Sequence, residues 1–290
     1  MIWFGPAGNS DSFHAMGYKN TTQTPEYLAR FGLNAYEYQC GRGVRVNPQA
    51  AAQLGEASRA QGIRLSLHSP YYISLSSVEE EKRLGSIEYI LQSARAACMM
   101  GADRVVVHSG SAAKLSRSRA LELAQDTLRQ ALAALDAEGL GDITLCPETM
   151  GKINQLGTLE EVMALCGVDE RLLPCVDFGH LYARSLGGLV TREDFAAVFR
   201  TMDQALGRDR MRLFHAHFSR IQYTENGGEK MHLTFADTQY GPDFEPLAEL
   251  ILQYGCTPVI ICESAGTQAE DAATMKQLYE SKEAAQKESK

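Results

Sequence analysis

The chain carries histidine and carboxylate side chains at the ends of several short apolar segments or just after them. Nine residues are of this kind: His68, His108, Glu148, Asp177, His180, His215, His217, His232 and Glu263. Imidazole and carboxylate ligands without thiolates are typical of zinc, manganese or iron sites. Clustered carboxylates would repel one another without a cation, and these groups outnumber the ligands of one zinc ion. The pattern therefore predicts more than one metal ion, with a carboxylate bridging two ions about 3.5–4 Å apart, as in phosphodiester hydrolysis.

These residues can meet only if the apolar segments are strands that end at the same edge. Eight strands are predicted, at residues 2–5, 33–39, 63–68, 104–108, 143–148, 172–177, 211–217 and 258–263. Stretches of helical period separate or follow them, at residues 25–31, 48–61, 78–100, 116–138, 159–166, 192–206, 244–254 and 267–280. Eight strand–helix units predict an α/β fold, a single-domain (β/α)8 TIM barrel with catalytic groups at the C-terminal strand ends. We expect the barrel over residues 1–283 and a polar tail at 284–290.

A doubly wound open sheet is the main alternative fold. That fold usually has a glycine-rich phosphate loop after its first strand. The segment GPAGN at residues 5–9 does not match the GxGxxG pattern of such a loop. The barrel is therefore the favoured interpretation.

Composition limits the classes of function. The net charge is −8, with 28 basic and 36 acidic residues, which argues against nonspecific coating of nucleic acid but leaves room for a local basic strip. The seven cysteines include no CxxC pair, so neither a disulfide framework nor a zinc ribbon is expected. No apolar run is long enough to span a bilayer, and no signal peptide is visible at the N-terminus. We expect a cytoplasmic protein that does not associate with a membrane and has no obligate protein partner.

The seventh predicted strand contains two histidines, His215 and His217. Side chains alternate along a strand, so both histidines share one face. Composition and spacing leave either of them as the metal ligand.

Six short motifs occur together in this part of the chain. They are HSPYY at 68–72, VHSG at 107–110, PET at 147–149, VDFGH at 176–180, HAHFSR at 215–220 and CES at 262–264. In combination, over residues 60–264, they resemble the endonuclease IV family of apurinic/apyrimidinic endonucleases, which lies within the xylose isomerase-like barrel superfamily. Each motif alone is weak, whereas the set is specific.

The resemblance implies a zinc site of two or three ions, with Mn²⁺ as the alternative metal. In the family pattern His68 and His108 hold the first ion, and Glu148 bridges it to the second. The ligands that the pattern assigns to the second ion are Asp177, His215 and Glu263, and those of the third are His180 and His232. The same pattern favours His215 over His217 as the ligand.

The resemblance also implies an activity, which is hydrolysis of the DNA backbone 5′ of abasic sites in base-excision repair. Glu148 and Glu263 would then orient the nucleophile as well as bind metal. The damaged nucleotide would be flipped out of the duplex. Candidate contacts to the substrate are Tyr72, Arg42, Arg220 and Lys230.

The third metal site departs from the family pattern at one position. The family has an aspartate two residues before the last histidine, and here that position is Lys230. A protonated lysine cannot coordinate a cation. Three alternatives follow: Glu229 takes over through a shifted loop, the third ion is weak or missing, or Lys230 contacts a substrate phosphate in its place.

Two other functions remain as alternatives. A sugar isomerase or epimerase on the same barrel would hold one divalent ion, and its glutamates would move a proton beside a carbonyl. Its ligand quartet would be Glu148, Asp177, His215 and Glu263. A noncatalytic barrel that binds metal or senses a small molecule is the second alternative, and the filled set of ligand residues argues against it.

Overall fold

Eight parallel strands form the centre of the protein. A computed structural model describes residues 1–112 and 115–288. The barrel strands are β1 (Trp3–Pro6), β2 (Ala35–Gln39), β3 (Arg64–His68), β4 (Arg104–Val107), β5 (Thr144–Pro147), β6 (Cys175–Asp177), β7 (His215–Phe218) and β10 (Val259–Cys262). Each observed strand begins and ends within a few residues of the bounds predicted for it.

The strands pair in two four-stranded sheets that close on each other. One sheet has the order β2-β3-β4-β5 and the other the order β1-β10-β7-β6. Parallel bridges between Ala7 and Glu37 and between Glu148 and Cys175 join the sheets at both seams. The predicted α/β barrel is therefore confirmed, and all eight strands end at the same mouth.

Helices surround the strands. They are α1 (Asp11–Ala15), α2 (Thr24–Arg30), α3 (Pro48–Ala60), α4 (Glu80–Met100), α5 (Arg117–Ala137), α6 (Leu159–Cys166), α7 (Phe178–Arg184), α8 (Arg192–Leu206), α9 (Arg208–Met211), α10 (Glu245–Tyr254) and α11 (Gln268–Glu288). Local signals explain several ends: Thr158 and Glu161 form a capping box that starts α6, and Gly101 ends α4 with a φ of 73°. Helix α11 runs five residues past 283, so the proposed tail begins inside a helix.

A two-stranded hairpin covers part of the barrel mouth. Strands β8 (Arg220–Thr224) and β9 (Gly228–Leu233) pair antiparallel directly after β7. The sequence did not reveal this hairpin, because its residues are mostly polar and half exposed, without the apolar alternation of a core strand. The hairpin carries His232 towards the barrel axis.

The core lies between the barrel and its helices. Leu, Val, Ile and Phe side chains from the outer faces of the strands pack against the apolar faces of the helices. Inside the barrel, in contrast, buried polar groups accumulate towards the carboxyl ends of the strands. Within the described part of the chain, no helix combines the length and the hydropathy that crossing a membrane requires.

Candidate metal centre

A cavity of about 640 Å³ opens at the carboxyl ends of the strands. Its walls carry six of the eight predicted metal ligands. The titratable side chains in its lining are His68, Tyr71, His108, Glu148, Lys152, His180, Glu229, His232 and Glu263. One pocket therefore brings together residues that are up to 195 positions apart in the chain, from 68 to 263.

Glu148 lies at the centre of the group. It follows β5 directly and is 1% exposed. Its Oε2 lies 3.3 Å from Nε2 of His68 and 3.1 Å from Nε2 of His108, and its Oε1 lies 3.1 Å from Nδ1 of His217. Burial would raise the pKa of Glu148, but these three imidazoles lower it well below its ordinary value. Glu148 is therefore ionised and faces three nitrogen ligands.

Three further ligand residues lie beside Glu148. Asp177, His217 and Glu263 each offer one ligand atom, and together with Glu148 these atoms lie within 4.8 Å of one another. Oδ1 of Asp177 accepts the backbone N–H of His180 at 2.7 Å and so caps α7. Its Oδ2 is buried and accepts no hydrogen bond from the described residues. It lies 3.2 Å from Nδ1 of His180, whose N–H is donated elsewhere. A buried carboxylate oxygen without a hydrogen bond, next to two other carboxylates, fits a bound cation.

The tautomers of two histidines fit the same conclusion. His68 donates its Nδ1–H to the carbonyl oxygen of Ser69 at 2.8 Å, and His180 donates its Nδ1–H to that of Thr149 at 2.8 Å. In their neutral forms both rings then present Nε2 lone pairs to carboxylates. Burial would lower the pKa of His180, but Asp177 and other nearby carboxylates raise it to about 9. A divalent cation would occupy the position of that proton, since metals bind the unprotonated ring.

The structure bears on the choice between the two histidines of β7, and it favours His217. Nδ1 of His217 lies 3.1 Å from Glu148 and 3.5 Å from Glu263, so His217 faces the cluster. His215 lies one pleat deeper, where its Nε2 donates to Glu37 at 3.0 Å. The family motif had favoured His215. Because the strand continues to Phe218, the histidine nearer the mouth is His217.

A second group of ligand residues lies on the hairpin side of the cavity. Oε2 of Glu229 is 3.4 Å from Nε2 of His180, and the rings of His180 and His232 are 5.7 Å apart. The ladder pairs Tyr223 with Glu229 but Gln222 with Met231, so Lys230 is the extra residue of a β-bulge. This bulge puts Glu229 and His232 on one face although they are three positions apart. Of the three alternatives at Lys230, the structure favours replacement by Glu229.

Several predicted substrate contacts lie elsewhere. Lys230 is exposed, and it is not one of the described residues that line the cavity. Arg220 donates to the carbonyl oxygens of Asp237 and Tyr240 and pairs with Asp243, so it holds the loop after the hairpin instead of facing the cavity.

The two tyrosines of the HSPYY motif have different positions. Tyr72 packs edge-on against Tyr89 at 4.7 Å and is not among the described residues that line the cavity. Tyr71 does line it, with its ring 5.5 Å from His68 and 5.6 Å from His108. The structure therefore favours Tyr71 over the predicted Tyr72 as a substrate contact.

A basic groove adjoins the metal cavity. It has a volume of about 510 Å³ and shares Tyr71 and Gln39 with the cavity. Arg42, a predicted contact, lines it together with Arg45. The groove therefore places two positive charges beside the cavity.

Sequence reasoning missed Glu37. This residue lies in the middle of β2, fully buried, and contacts both histidines of β7. Burial would raise its pKa, but His217 and His215 lower it well below the ordinary value. A carboxylate between two tyrosines of a strand was the available signal, since an acidic residue inside a barrel needs partners.

Comparisons with known proteins agree with this architecture. A family model described as "Xylose isomerase-like TIM barrel" matches residues 25–286. A protein of Methanocaldococcus jannaschii, "Uncharacterized protein MJ0133", is 30% identical over 280 residues, which are 95% of this chain and 96% of that protein. A "Probable endonuclease 4" of Acholeplasma laidlawii is 28% identical over 170 residues, 56% of each chain. This chain therefore spans about half the length of that relative.

Solved structures show the same fold. Endonuclease IV from Thermus thermophilus superposes with a TM-score of 0.65 at 21% identity, covering 96% of this chain and 98% of that one. A D-tagatose 3-epimerase-like protein superposes with a TM-score of 0.72 at 19% identity, covering 97% and 96%. At these identities the two structures support the barrel alone.

Proposed function

The chain belongs to the family of xylose isomerase-like TIM barrels, a family that contains enzymes, and on that basis we propose that it is a metal-dependent phosphodiesterase. Its proposed reaction is hydrolysis of the DNA backbone 5′ of an abasic site, as the resemblance to endonuclease IV implies. A role in base-excision repair would place the protein in the cytoplasm with damaged DNA as its partner.

The observation that carries this proposal is the number of ligand residues around one cavity. The nine residues are His68, His108, Glu148, Asp177, His180, His217, Glu229, His232 and Glu263. One divalent ion uses four to six ligands, so nine residues exceed the needs of a single-metal enzyme. A multi-ion site is the arrangement suited to in-line attack on a phosphodiester.

The proposed assignment follows the geometry. His68 and His108 would hold one ion, with Glu148 shared between it and a second ion held by Asp177, His217 and Glu263. His180 and His232 would hold the third together with Glu229, which lies 3.4 Å from His180, and with Glu263, whose ligand atom lies within 4.8 Å of those of both histidines. Zinc suits this mixture of imidazole and carboxylate, and Mn²⁺ is the alternative. Bound ions would supply charge neutralisation of the phosphate and an acidified water.

The two catalytic glutamates have different environments. Glu148 is buried and saturated with imidazole neighbours, so its contribution is to hold metal. The side chain of Glu263 is 15% exposed and lines the cavity, 4.0 Å from His232. Glu263 is therefore the carboxylate placed to orient the attacking water and accept its proton.

Substrate contacts are proposed around the rim. Tyr71 presents an aromatic face that is 58% exposed between the cavity and the basic groove. Arg42 is placed to neutralise a backbone phosphate in the groove, and Lys152 is placed to do so at the opposite wall. A nucleotide flipped into the cavity would leave its flanking phosphates near these cations.

The test is incision of a duplex oligonucleotide that carries one abasic-site analogue. Zinc-loaded wild type is expected to cut 5′ of the lesion, and Glu263→Ala is expected to lose the activity while retaining its fold. Glu122→Ala is the matched control, because Glu122 is an exposed carboxylate on α5 that pairs with Arg119. The control should cut at the wild-type rate.

Absence of incision by wild type with a measured content of zinc would overturn the proposal. Equal loss in Glu263→Ala and Glu122→Ala would also count against it, because the loss would then not depend on the metal centre.

One observation favours a sugar isomerase or epimerase as the second candidate. Glu148, Asp177, His217 and Glu263 form a compact quartet within 4.8 Å, which suffices for one divalent ion. This candidate predicts one Mn²⁺ per chain and conversion of a ketose, with the glutamates exchanging a proton beside the carbonyl. It assigns no metal role to His68, His108 or Glu229.

A further inference from the structure

A buried carboxylate lies beneath the metal centre and is linked to it through a histidine. Glu37 on β2 is fully buried. Its Oε2 accepts hydrogen bonds from Nε2 of His215 at 3.0 Å and from Oγ of Ser66 at 2.9 Å. Its Oε1 lies 2.9 Å from Nε2 of His217 as an ion pair. Glu37 therefore contacts the inner edge of His217, while the metal centre lies at the outer edge.

Both ring nitrogens of His217 face carboxylates. Nε2 lies 2.9 Å from Oε1 of Glu37, and Nδ1 lies 3.1 Å from Oε1 of Glu148 and 3.5 Å from Oε1 of Glu263, among the proposed ligand atoms. A cation bound among those atoms would need the lone pair of Nδ1, so the neutral ring would carry its proton on Nε2. The charge of Glu37 favours that form, because a carboxylate attracts an N–H and repels a lone pair.

His215 has a different position in the same chain of contacts. Its Nε2–H is engaged by Glu37, and its buried Nδ1 has no hydrogen-bond partner among the described residues. His215 pairs in register with Cys175 of β6, one pleat below the cavity. It is therefore placed to support Glu37 and not to reach the ions.

We propose that Glu37 is a positioning residue, which holds His217 with Nε2 protonated and Nδ1 turned to the metal, and that His215 supports Glu37. This inference rests on the proposed metal centre. A carboxylate on the far nitrogen of a ligating histidine orients the ring and raises its affinity for metal, and loss of such a partner typically costs about 10–100-fold in metal affinity.

The first test is a Co²⁺ titration of the full chain against a competing chelator, without any substrate. Glu37→Gln keeps the shape but removes the charge, and its amide N–H2 must face one of the two imidazole N–H groups. We expect it to weaken Co²⁺ binding about 10–100-fold. Glu37→Asp keeps the charge one methylene further away, and we expect an intermediate loss. A role in packing alone predicts the opposite order, with Gln harmless and Asp damaging, and that order would overturn the proposal.

Cys175→Ser is the matched control within the same layer. Cys175, His215 and His217 could themselves hold an ion, because their ligand atoms lie within 4.8 Å of one another. Our proposal predicts that Cys175→Ser binds as many Co²⁺ ions as wild type. Loss of one ion per chain in this variant would show that His215 is a ligand and would overturn it.

The second test reads the tautomer of His217 directly. Long-range ¹H–¹⁵N NMR spectra of the zinc-loaded wild type should show a protonated Nε2 and a metal-bound Nδ1, and a protonated Nδ1 would contradict the proposal. Both tests are independent of DNA. A protein that shows the expected Co²⁺ order and tautomer but does not incise DNA would disprove the phosphodiesterase and leave the role of Glu37 standing.

Discussion

Two groups of charged residues lie on opposite sides of the loop that joins β5 to α6, and their carboxylates have contrasting partners. In the metal centre, Glu148 faces imidazoles and other carboxylates. In a second group, which we name the loop anchor (Arg117, Gly157, Thr158 and Glu161), Glu161 accepts hydrogen bonds from Arg117 at 2.6 and 2.7 Å and from the backbone N–H of Gly157 at 2.7 Å and Thr158 at 2.9 Å.

The comparison teaches how to distinguish a structural carboxylate from a ligand. Every partner of Glu161 is a donor, so its charge is satisfied within the protein. The metal centre instead leaves Oδ2 of Asp177 without a hydrogen bond from the described residues and turns Nε2 of His68 and His180 towards carboxylates. A bound cation would complete such a set, because it would supply the positive charge that these carboxylates and lone pairs face.

The largest expected difference between the two groups is in activity. Glu148→Gln should lower the rate of abasic-site incision by about 10³-fold or more, because it would remove the charge of a carboxylate that we propose as a metal ligand. Glu161→Gln should lower it by about tenfold or less, since it shifts a cavity wall without removing a ligand. Single-turnover rates at saturating zinc measure both. Similar losses of incision rate in Glu148→Gln and Glu161→Gln would contradict the distinction between a ligand carboxylate and a structural one.

The next largest difference between the two groups is expected in the stabilisation of the folded protein by zinc. Free zinc at about 1,000 times its dissociation constant would stabilise the folded wild type by about 4 kcal/mol. We expect a chelator to remove this stabilisation from wild type and from Glu161→Gln alike, and to have a much smaller effect on Glu148→Gln. Thermal unfolding with and without zinc is the measurement. A zinc-dependent rise in Tm of equal size in Glu148→Gln would contradict the assignment of Glu148.

The loop anchor should contribute to the free energy of unfolding independently of zinc. Glu161→Gln replaces a nearly buried carboxylate and leaves the Arg117 guanidinium without its partner. We expect the free energy of unfolding to fall by about 1–3 kcal/mol. Urea denaturation at neutral pH measures it, with the exposed Glu122→Ala as the control, which should be close to wild type. An unchanged free energy of unfolding in Glu161→Gln would contradict the structural role of the loop anchor.

The smallest expected effect is the pH dependence of that contribution. Burial would raise the pKa of Glu161, but Arg117 and the two backbone N–H groups lower it below its ordinary value of 4.5. The stabilisation is therefore fully present above pH 4.5 and is lost as the pH falls through the folded-state pKa. The stability difference between wild type and Glu161→Gln should shrink on acidification. A stability difference that grows on acidification would contradict this prediction.

The parts of the site at strand ends were predictable from the sequence. His68, His108, Glu148, Asp177 and Glu263 each end or directly follow a predicted strand, and strand ends converge in a parallel barrel. The choice in β7 was not predictable in the same way. A strand rises about 3.3 Å per residue, so His215 and His217 differ by about 7 Å in depth. Only the true end of the strand decides which of them reaches the mouth.

Two further features of the site could not be predicted from local sequence pattern, for two physical reasons. Glu229 reaches the third group through a β-bulge at Lys230, and a bulge changes the face of every residue before it without a clear trace in composition. Arg220 and Tyr72 belong to motifs of the resemblance, but their partners come from distant segments, Asp243 and Tyr89. Long-range partners of this kind depend on the folded arrangement and not on local pattern.

The number of zinc ions per chain tests the proposed multi-ion centre at the barrel mouth. Elemental analysis of the zinc-loaded protein after removal of free metal should find three ions in wild type and two in Glu229→Ala, because we propose Glu229, 3.4 Å from His180, as a ligand of the third ion and of no other. One ion per chain in both proteins would contradict the multi-ion centre and favour the single-metal sugar enzyme.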